Sequence, residues 1–180
     1  MRKIDYSQSP FKIFMQYIAG QRKLFIIDMG CAVLVALIDL VFPYVSRRSM
    51  YTLLPGKLYT VFFAVMGIMV AAYVLKSVCY YVITVVGHRM GVLVESDMRR
   101  DVFTHMQELS CSYYDANRTG VLMSRITSDL FEVTELAHHG PENILICTLT
   151  IIGALAVMFT INWRLALVLA VLLPVCLWFT

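Results

Sequence analysis

Three charged side chains lie within long apolar stretches of this sequence, where a charge is costly. Asp28 and Asp39 fall in the first stretch and Lys76 falls in the second. A charge in hydrocarbon costs about 2.5–3.5 kcal/mol on insertion scales, so such groups usually face a cavity or a partner. Asp28 and Asp39 are eleven residues apart. That spacing is close to three helical turns, so the two carboxylates share one helix face.

Two interpretations of these charges stay open from the residues alone. Counted inward from the outer ends at Val45 and Leu58, Asp28 and Lys76 lie at similar depth, about 25–27 Å at 1.5 Å per residue. In the first interpretation these two residues pair, or all three charges line a cavity among the helices. In the second, Asp28 simply lies near the cytoplasmic interface and the amine of Lys76 snorkels out of the hydrocarbon.

Other polar groups offer weaker chemistry. His138 and His139 are adjacent, so their side chains diverge and no metal site is expected there. Asp129, Glu132 and Glu135 resemble acid–base groups, but their spacing is more typical of a solvated helix face. The five cysteines are widely spaced without a CxxC pair, which favours buried small hydrophobes over a disulfide framework or a zinc site. We therefore expect no catalytic residue and no metal ligand.

The composition identifies an integral membrane protein. Apolar residues make up 59% of the sequence and charged residues 15%, whereas soluble domains average roughly 45–50% and about 25%. The net charge of +3 is small, and long apolar runs interrupt the basic residues. A nucleic-acid partner is therefore not expected.

Four apolar stretches organise the chain, and a membrane-spanning helix needs about 20 mostly apolar residues. They are Leu24–Val45, Leu58–Val86, Ile144–Ile161 and a fourth that begins at Leu165 and still continues at Thr180. We expect three spans and part of a fourth, and we interpret the chain as a fragment of a longer protein.

A short amphipathic helix is predicted before the first span, within residues 1–20. Ser9 suits the N-cap and Pro10 the first helical position. The apolar residues that follow share one helix face: Phe11, Phe14, Met15 and Ile18. The helix is too short to span, so it is expected to lie in the membrane interface; the alternative is a surface helix of a soluble domain. Basic residues precede the first span and recur between spans two and three, which predicts a cytoplasmic N-terminus.

The segment from residue 87 to 143 continues the helical pattern beyond the second apolar stretch. No proline interrupts residues 58–110, so one helix of some fifty residues is expected, far longer than the bilayer core requires. Glu95 with Arg99, and Asp101 with His105, are predicted i, i+4 pairs.

A turn-rich break follows at Ser110–Gly120, and helical spacing resumes at Val121. Arg125 and Asp129 are a further predicted i, i+4 pair. The run His138–Pro141 predicts a kink or a loosened turn. We therefore expect two long helices that leave the membrane together and are joined at the tip by a turn or short helix.

This segment resembles the first intracellular loop of type I ABC exporters. That family typically shows an LR…F…L…FFD…TG…SR…ND pattern. The matching residues here are Met98-Arg99, Val102 to Met106, Leu109, Tyr114-Asp115, Arg118 to Leu122, Ser124 to Ile126, Asp129 and Val133. Asn162 to Leu167 and Pro174 resemble the region of the third and fourth spans in the same family.

The resemblance implies an all-α, polytopic type I ABC exporter transmembrane fold, truncated in the fourth span. Residues 1–20 would form the elbow helix and residues 21–180 the transmembrane domain. The tip would be a coupling helix that docks on a nucleotide-binding domain. Its docking residues would be Tyr113, Tyr114 and Asp115, with Ala116 and Asn117 beside them.

The implied function is the membrane portion of an ATP-driven exporter in the cell membrane. This chain contains no G-x-x-x-x-G-K-[ST] motif, so it is not expected to be an enzyme or to hold a cofactor itself. ATP and Mg²⁺ are expected on the missing nucleotide-binding domain. The other expected partners are a second transporter half, identical or different, the lipid bilayer and an unknown substrate. The alternatives are a membrane-embedded lipid-modifying enzyme and a non-catalytic membrane scaffold.

Overall fold

The computed structural model describes residues 4–179, except for the side chains of residues 137, 138 and 177. Within these residues the chain is helical and contains no strand, which confirms the predicted all-α membrane fold. The seven α-helices are α1 Pro10–Ile18, α2 Arg22–Arg48, α3 Tyr59–Gln107, α4 Cys111–Ala116, α5 Thr119–Ser124, α6 Leu130–Ile161 and α7 Trp163–Trp178.

Three helical runs are long and apolar enough to cross a membrane. They are Pro10–Leu53, Tyr59–Gln107 and Thr119–Ile161, and a shorter apolar helical run covers Trp163–Cys176. Each of the three contains more than forty residues, about twice the number that a bilayer crossing requires. The prediction that the second apolar stretch continues as one helix is therefore confirmed, with an observed end at Gln107.

The local sequence explains where α1 and α7 begin. Ser9 adopts the extended N-cap conformation and its carbonyl accepts hydrogen bonds from the amides of Lys12 and Ile13, while Pro10 occupies the first turn. The Ser9 hydroxyl makes no capping bond. At α7 the side chain of Asn162 accepts hydrogen bonds from the amides of Arg164 and Leu165 at 3.1 and 3.4 Å. Asn162 is the single non-helical residue between α6 and α7, and its side chain caps the start of α7.

Two π-helical stretches, Ser49–Leu53 and Arg125–Asp129, were not predicted. The first extends α2 beyond the expected end of the first span. In contrast, α6 continues through Pro141, so the loosened turn expected at His138–Pro141 is not observed. A bend at that proline stays a prediction.

The chain divides into two compact units. The first contains Met1–Gly30 and Val82–Asn143, and the second contains Cys31–Tyr81 and Ile144–Thr180. The core of the first unit is formed by Tyr17, Met90 and Val94, with Phe25 and Met98 packed against it. Tyr17 lies in the last turn of α1, while Met90 and Val94 belong to α3. The face of α1 that carries Ile13 and Tyr17 is thus packed in this core, whereas Phe11 and Met15 of the predicted apolar face are exposed.

The second unit contains tightly packed small residues. Ala32, Val35 and Ala36 of α2 are completely buried, and a Cβ added to Gly153 of α6 would clash with the side chain of Leu40. Small residues allow helices in membranes to approach closely. The glycine therefore permits the close contact of α6 with α2.

Candidate functional site

The predicted docking residues lie on a separate short helix, α4, at the end of α3. Ser110 precedes it in an extended conformation and Asn117 follows it in an extended conformation. The amide nitrogen of the Asn117 side chain donates to the carbonyl of Tyr113 at 2.9 Å. The backbone amide of Asn117 donates to the same carbonyl at 3.0 Å, so Asn117 closes the end of α4 with two hydrogen bonds.

Tyr114 attaches the tip to the long helix. Its hydroxyl donates a hydrogen bond of 2.5 Å to the carbonyl of Met106 in the last turn of α3. The rings of Tyr113 and Tyr114 meet edge to face at 5.7 Å. Tyr114 is half-buried, whereas Tyr113, Asp115 and Ala116 are exposed. Among the predicted residues, Tyr114 therefore anchors the tip to α3, and Tyr113, Asp115 and Ala116 form an exposed surface.

Helix α5 and the π-helical stretch after it lead from the tip back to α6. No ion pair between Arg125 and Asp129 occurs among the described residues, so the predicted i, i+4 pair is wrong. Both residues belong to the π-helical stretch. A π-turn contains more residues than an α-turn, so positions four apart no longer lie above each other.

Ion pairs near the C-terminal end of α3 agree only in part with those predicted from the sequence. Glu95 and Arg99 form the predicted pair. The predicted pairing of Asp101 with His105 is wrong, because Nδ1 of His105 instead lies 3.7 Å from Glu108. Asp101 accepts a hydrogen bond from α1, which sequence spacing along one helix does not reveal.

A hydrogen-bonded cluster joins α1 to α3. The hydroxyl of Tyr17 donates to Oδ2 of Asp101 at 3.0 Å, and the Tyr6 and Tyr17 hydroxyls are 3.0 Å apart. The ring of Tyr17 is buried against Met90 and Val94. Its hydroxyl therefore adds a directional bond to an apolar contact, and α1 is fixed to the helix that carries the tip.

The intramembrane pair is Lys76 with Asp39, not Lys76 with Asp28 as one interpretation predicted. The prediction placed the outer end of the first helix at Val45, but the π-helical stretch extends it to Leu53. Asp39 thus lies 14 residues before that end, and Lys76 lies 17 residues after the start of α3. Similar depth therefore brings these two charges together.

Aromatic rings surround this pair within the second unit. The amine of Lys76 lies 5.2 Å from the ring centre of Tyr73 and 5.6 Å from that of Tyr80. The ring of Phe42 packs edge-on against Tyr73 at 5.0 Å. Both partners are partly exposed, Lys76 at 17% and Asp39 at 32% of the side chain. The carboxylate of Asp39 therefore neutralises the charge of Lys76, and the faces of the two rings attract the same amine.

Asp28 is completely buried in the first unit, and neither of its carboxylate oxygens has a hydrogen-bond partner among the described residues. Glu142, which is also buried, repels its charge and His139 attracts it. Nε2 of His139 lies 3.6 Å from Glu135, and Nδ1 lies 3.8 Å from Glu142. The sequence did not single out Glu142, because its burial depends on contacts between distant segments.

The ring of His139 also meets that of His88, with centres 5.9 Å apart. The side chain of His138 lies outside the described residues. Among the described residues, no group of three or more His, Cys, Asp and Glu side chains is arranged to hold a metal ion.

These features define a multi-pass membrane protein with over-long helices and an exposed helical tip. Comparison with known families matches residues 25–180 to the ABC transporter transmembrane region. The match covers most of the chain, and the chain belongs to this family. It forms part of the membrane domain of an ABC transporter.

Individual relatives agree with this assignment. The chain is 41% identical over 165 residues to the uncharacterized ABC transporter ATP-binding protein YwjA of Bacillus subtilis, covering 92% of this chain and 29% of that protein. It is 29% identical over 164 residues to YfiC of the same organism, covering 88% of this chain and 26% of that protein. An ATP-dependent lipid A-core flippase of Sodalis glossinidius is 35% identical over 111 residues, covering 62% of this chain and 18% of the flippase. The chain therefore spans less than a third of the length of these relatives.

Proposed function

We propose that this chain forms the first part of the membrane domain of an ATP-driven exporter, and that α4 couples it to a nucleotide-binding domain. ATP and Mg²⁺ would bind on that domain, because this chain contains no phosphate-binding loop motif. A second transporter half, identical or different, would complete the substrate pathway.

The observation that carries the proposal is the placement of the tip. Helix α4 follows α3, which contains 49 residues, and about 20 suffice to cross the bilayer core. Tyr113, Asp115 and Ala116 are exposed. Because α3 is much longer than a bilayer crossing requires, α4 would present these side chains to a partner outside the membrane.

Two hydrogen bonds would allow the tip to transmit movement to the helices. The hydrogen bond from Tyr114 to Met106 fixes α4 to α3, and the bond from Tyr17 to Asp101 fixes α1 to the same helix. Closure of a nucleotide-binding domain against Tyr113 and Asp115 would then move the attached helices as a rigid body. Basic residues before the first span and between the second and third spans support a cytoplasmic location for the tip and the N-terminus.

The proposal is tested by the ATPase activity of the full-length protein in lipid vesicles. Tyr113→Ala combined with Asp115→Ala removes an exposed ring and an exposed charge from the docking surface. We expect a decrease of about tenfold, since hot-spot truncations cost about 1–2 kcal/mol or more. The matched control is Phe131→Ala with Glu132→Ala, which removes the same two kinds of exposed side chain from α6. Equal activity of both double variants would contradict the proposal.

A further inference from the structure

A basic pocket of about 350 Å³ lies in the first unit, where the chain passes from α1 into α2. Its cations are Arg22 and Lys23 at the start of α2 and Arg89 on α3. Leu24 and Leu93 line the same pocket and give it an apolar part. The pocket thus combines three positive charges with hydrocarbon.

The three cations have no acidic partner among the described residues. None of Arg22, Lys23 and Arg89 forms an ion pair within the part of the chain that the structure describes, whereas Arg99 and Arg100 further along α3 both do. No acidic residue lines the pocket. All three cations are exposed on the lining of one concave surface, so an anion bound there would meet three positive charges.

The position of the pocket along the chain indicates what kind of anion fits. Arg22 and Lys23 directly precede the apolar stretch that starts at Leu24, and Arg89 comes three residues after the end of the second stretch at Val86. All three charges therefore belong to the boundary between hydrocarbon and water, where basic side chains meet lipid headgroups. This step rests on the membrane orientation in the proposed function.

We propose that this pocket binds the phosphate headgroup of an anionic phospholipid from the cytoplasmic leaflet. Its volume of about 350 Å³ is at the lower end of small-molecule sites, which suits a headgroup whose acyl chains remain in the bilayer. Ile26 and Ile27, one turn further along α2, are 67% and 48% exposed. These side chains provide apolar surface for the acyl chains, which a free phosphate ion would not use.

The test is a lipid titration of the full-length protein in detergent, followed by native mass spectrometry. The lipids are phosphatidylglycerol and, as the zwitterionic comparison, phosphatidylcholine. The variant Arg22→Gln, Lys23→Gln, Arg89→Gln removes the three charges. The control Arg47→Gln, Arg48→Gln, Lys57→Gln removes two arginines and one lysine from exposed positions at the opposite end of α2 and the turn after it.

We expect the unmodified protein and the control variant to prefer phosphatidylglycerol. The pocket variant should bind it about 10- to 100-fold more weakly, with phosphatidylcholine binding unchanged. Equal phosphatidylglycerol binding by both variants would overturn the proposal. Displacement of the lipid by millimolar inorganic phosphate would also overturn it, in favour of a soluble-anion site.

Two further measurements separate this proposal from failures of other kinds. Arg89→Gln alone is a milder change, with an expected weakening of about tenfold, and it serves if the triple variant does not elute as a folded protein. The variant Tyr113→Ala, Asp115→Ala should retain phosphatidylglycerol binding. If the Tyr113→Ala, Asp115→Ala variant kept both its phosphatidylglycerol binding and its full ATPase activity, only the coupling role of α4 would be rejected. The headgroup site would be unaffected by that result.

Discussion

Asp39 and Lys76 show how a charged residue is accommodated among apolar neighbours. The pair neutralises both charges, and the rings of Tyr73 and Tyr80 face the lysine amine. Removing one partner from such a pair leaves a lone charge whose desolvation is no longer offset. Removing both partners eliminates the two charges together and should cost much less.

This argument predicts opposite outcomes for single and double substitutions. Lys76→Met or Asp39→Leu alone should lower the free energy of unfolding by about 1–3 kcal/mol, measured by denaturation of the purified protein in detergent. The double variant should recover most of that loss. Lys57→Met, at an exposed position without an ion pair among the described residues, is the control and should have little effect. Additive losses in the double variant would show that the two side chains act independently.

The sequence identified Asp28, Asp39 and Lys76 as unusual, but it did not identify their partners. Helical spacing relates residues within one helix, as it did for Glu95 and Arg99. The bond from Tyr17 to Asp101 joins residues 84 positions apart, and such contacts depend on how helices pack. The internal role of Tyr114 was missed for the same reason, since its partner is a backbone carbonyl at Met106.

At the scale of helices, hydropathy predicted most of the architecture. The apolar stretches, the uninterrupted α3 and the short helix α1 follow from composition and periodicity. The π-helical stretches do not, because one extra residue per turn changes no composition and only locally alters the hydrophobic spacing. Missing the stretch Ser49–Leu53 shifted the assumed outer end of the first span, and that shift produced the wrong partner for Lys76.

Packing of α6 against α2 gives a prediction at this scale. Gly153→Leu should lower the thermal stability of the purified protein, because the added side chain competes with Leu40 for the same space. Overpacking of this kind costs about 1–3 kcal/mol. Gly67→Leu is the matched control, since an added Cβ there meets no atom within 4 Å and the position is exposed. An equal loss at both positions would contradict close packing at Gly153.

At the scale of the molecule, the chain belongs to the transmembrane region of ABC transporters, and residues 25–180 carry that relationship. The first unit contains α1, the basic pocket and the tip, and the second contains the ion pair of Asp39 and Lys76. The two proposals would give these parts separate tasks. The tip would contact the ATP-binding partner, the pocket would hold a lipid headgroup, and the helices of the second unit would contribute to the substrate pathway.

Site-specific photocrosslinking tests the coupling role of the tip most directly. The full-length protein would carry benzoylphenylalanine in place of Tyr113, which is 37% exposed on α4, or in place of Phe159, which is 46% exposed on α6. Irradiation of membranes should join position 113, but not position 159, to a peptide of the nucleotide-binding domain identified by mass spectrometry. Adducts of position 113 with lipid alone, or equal adducts from both positions, would contradict the account.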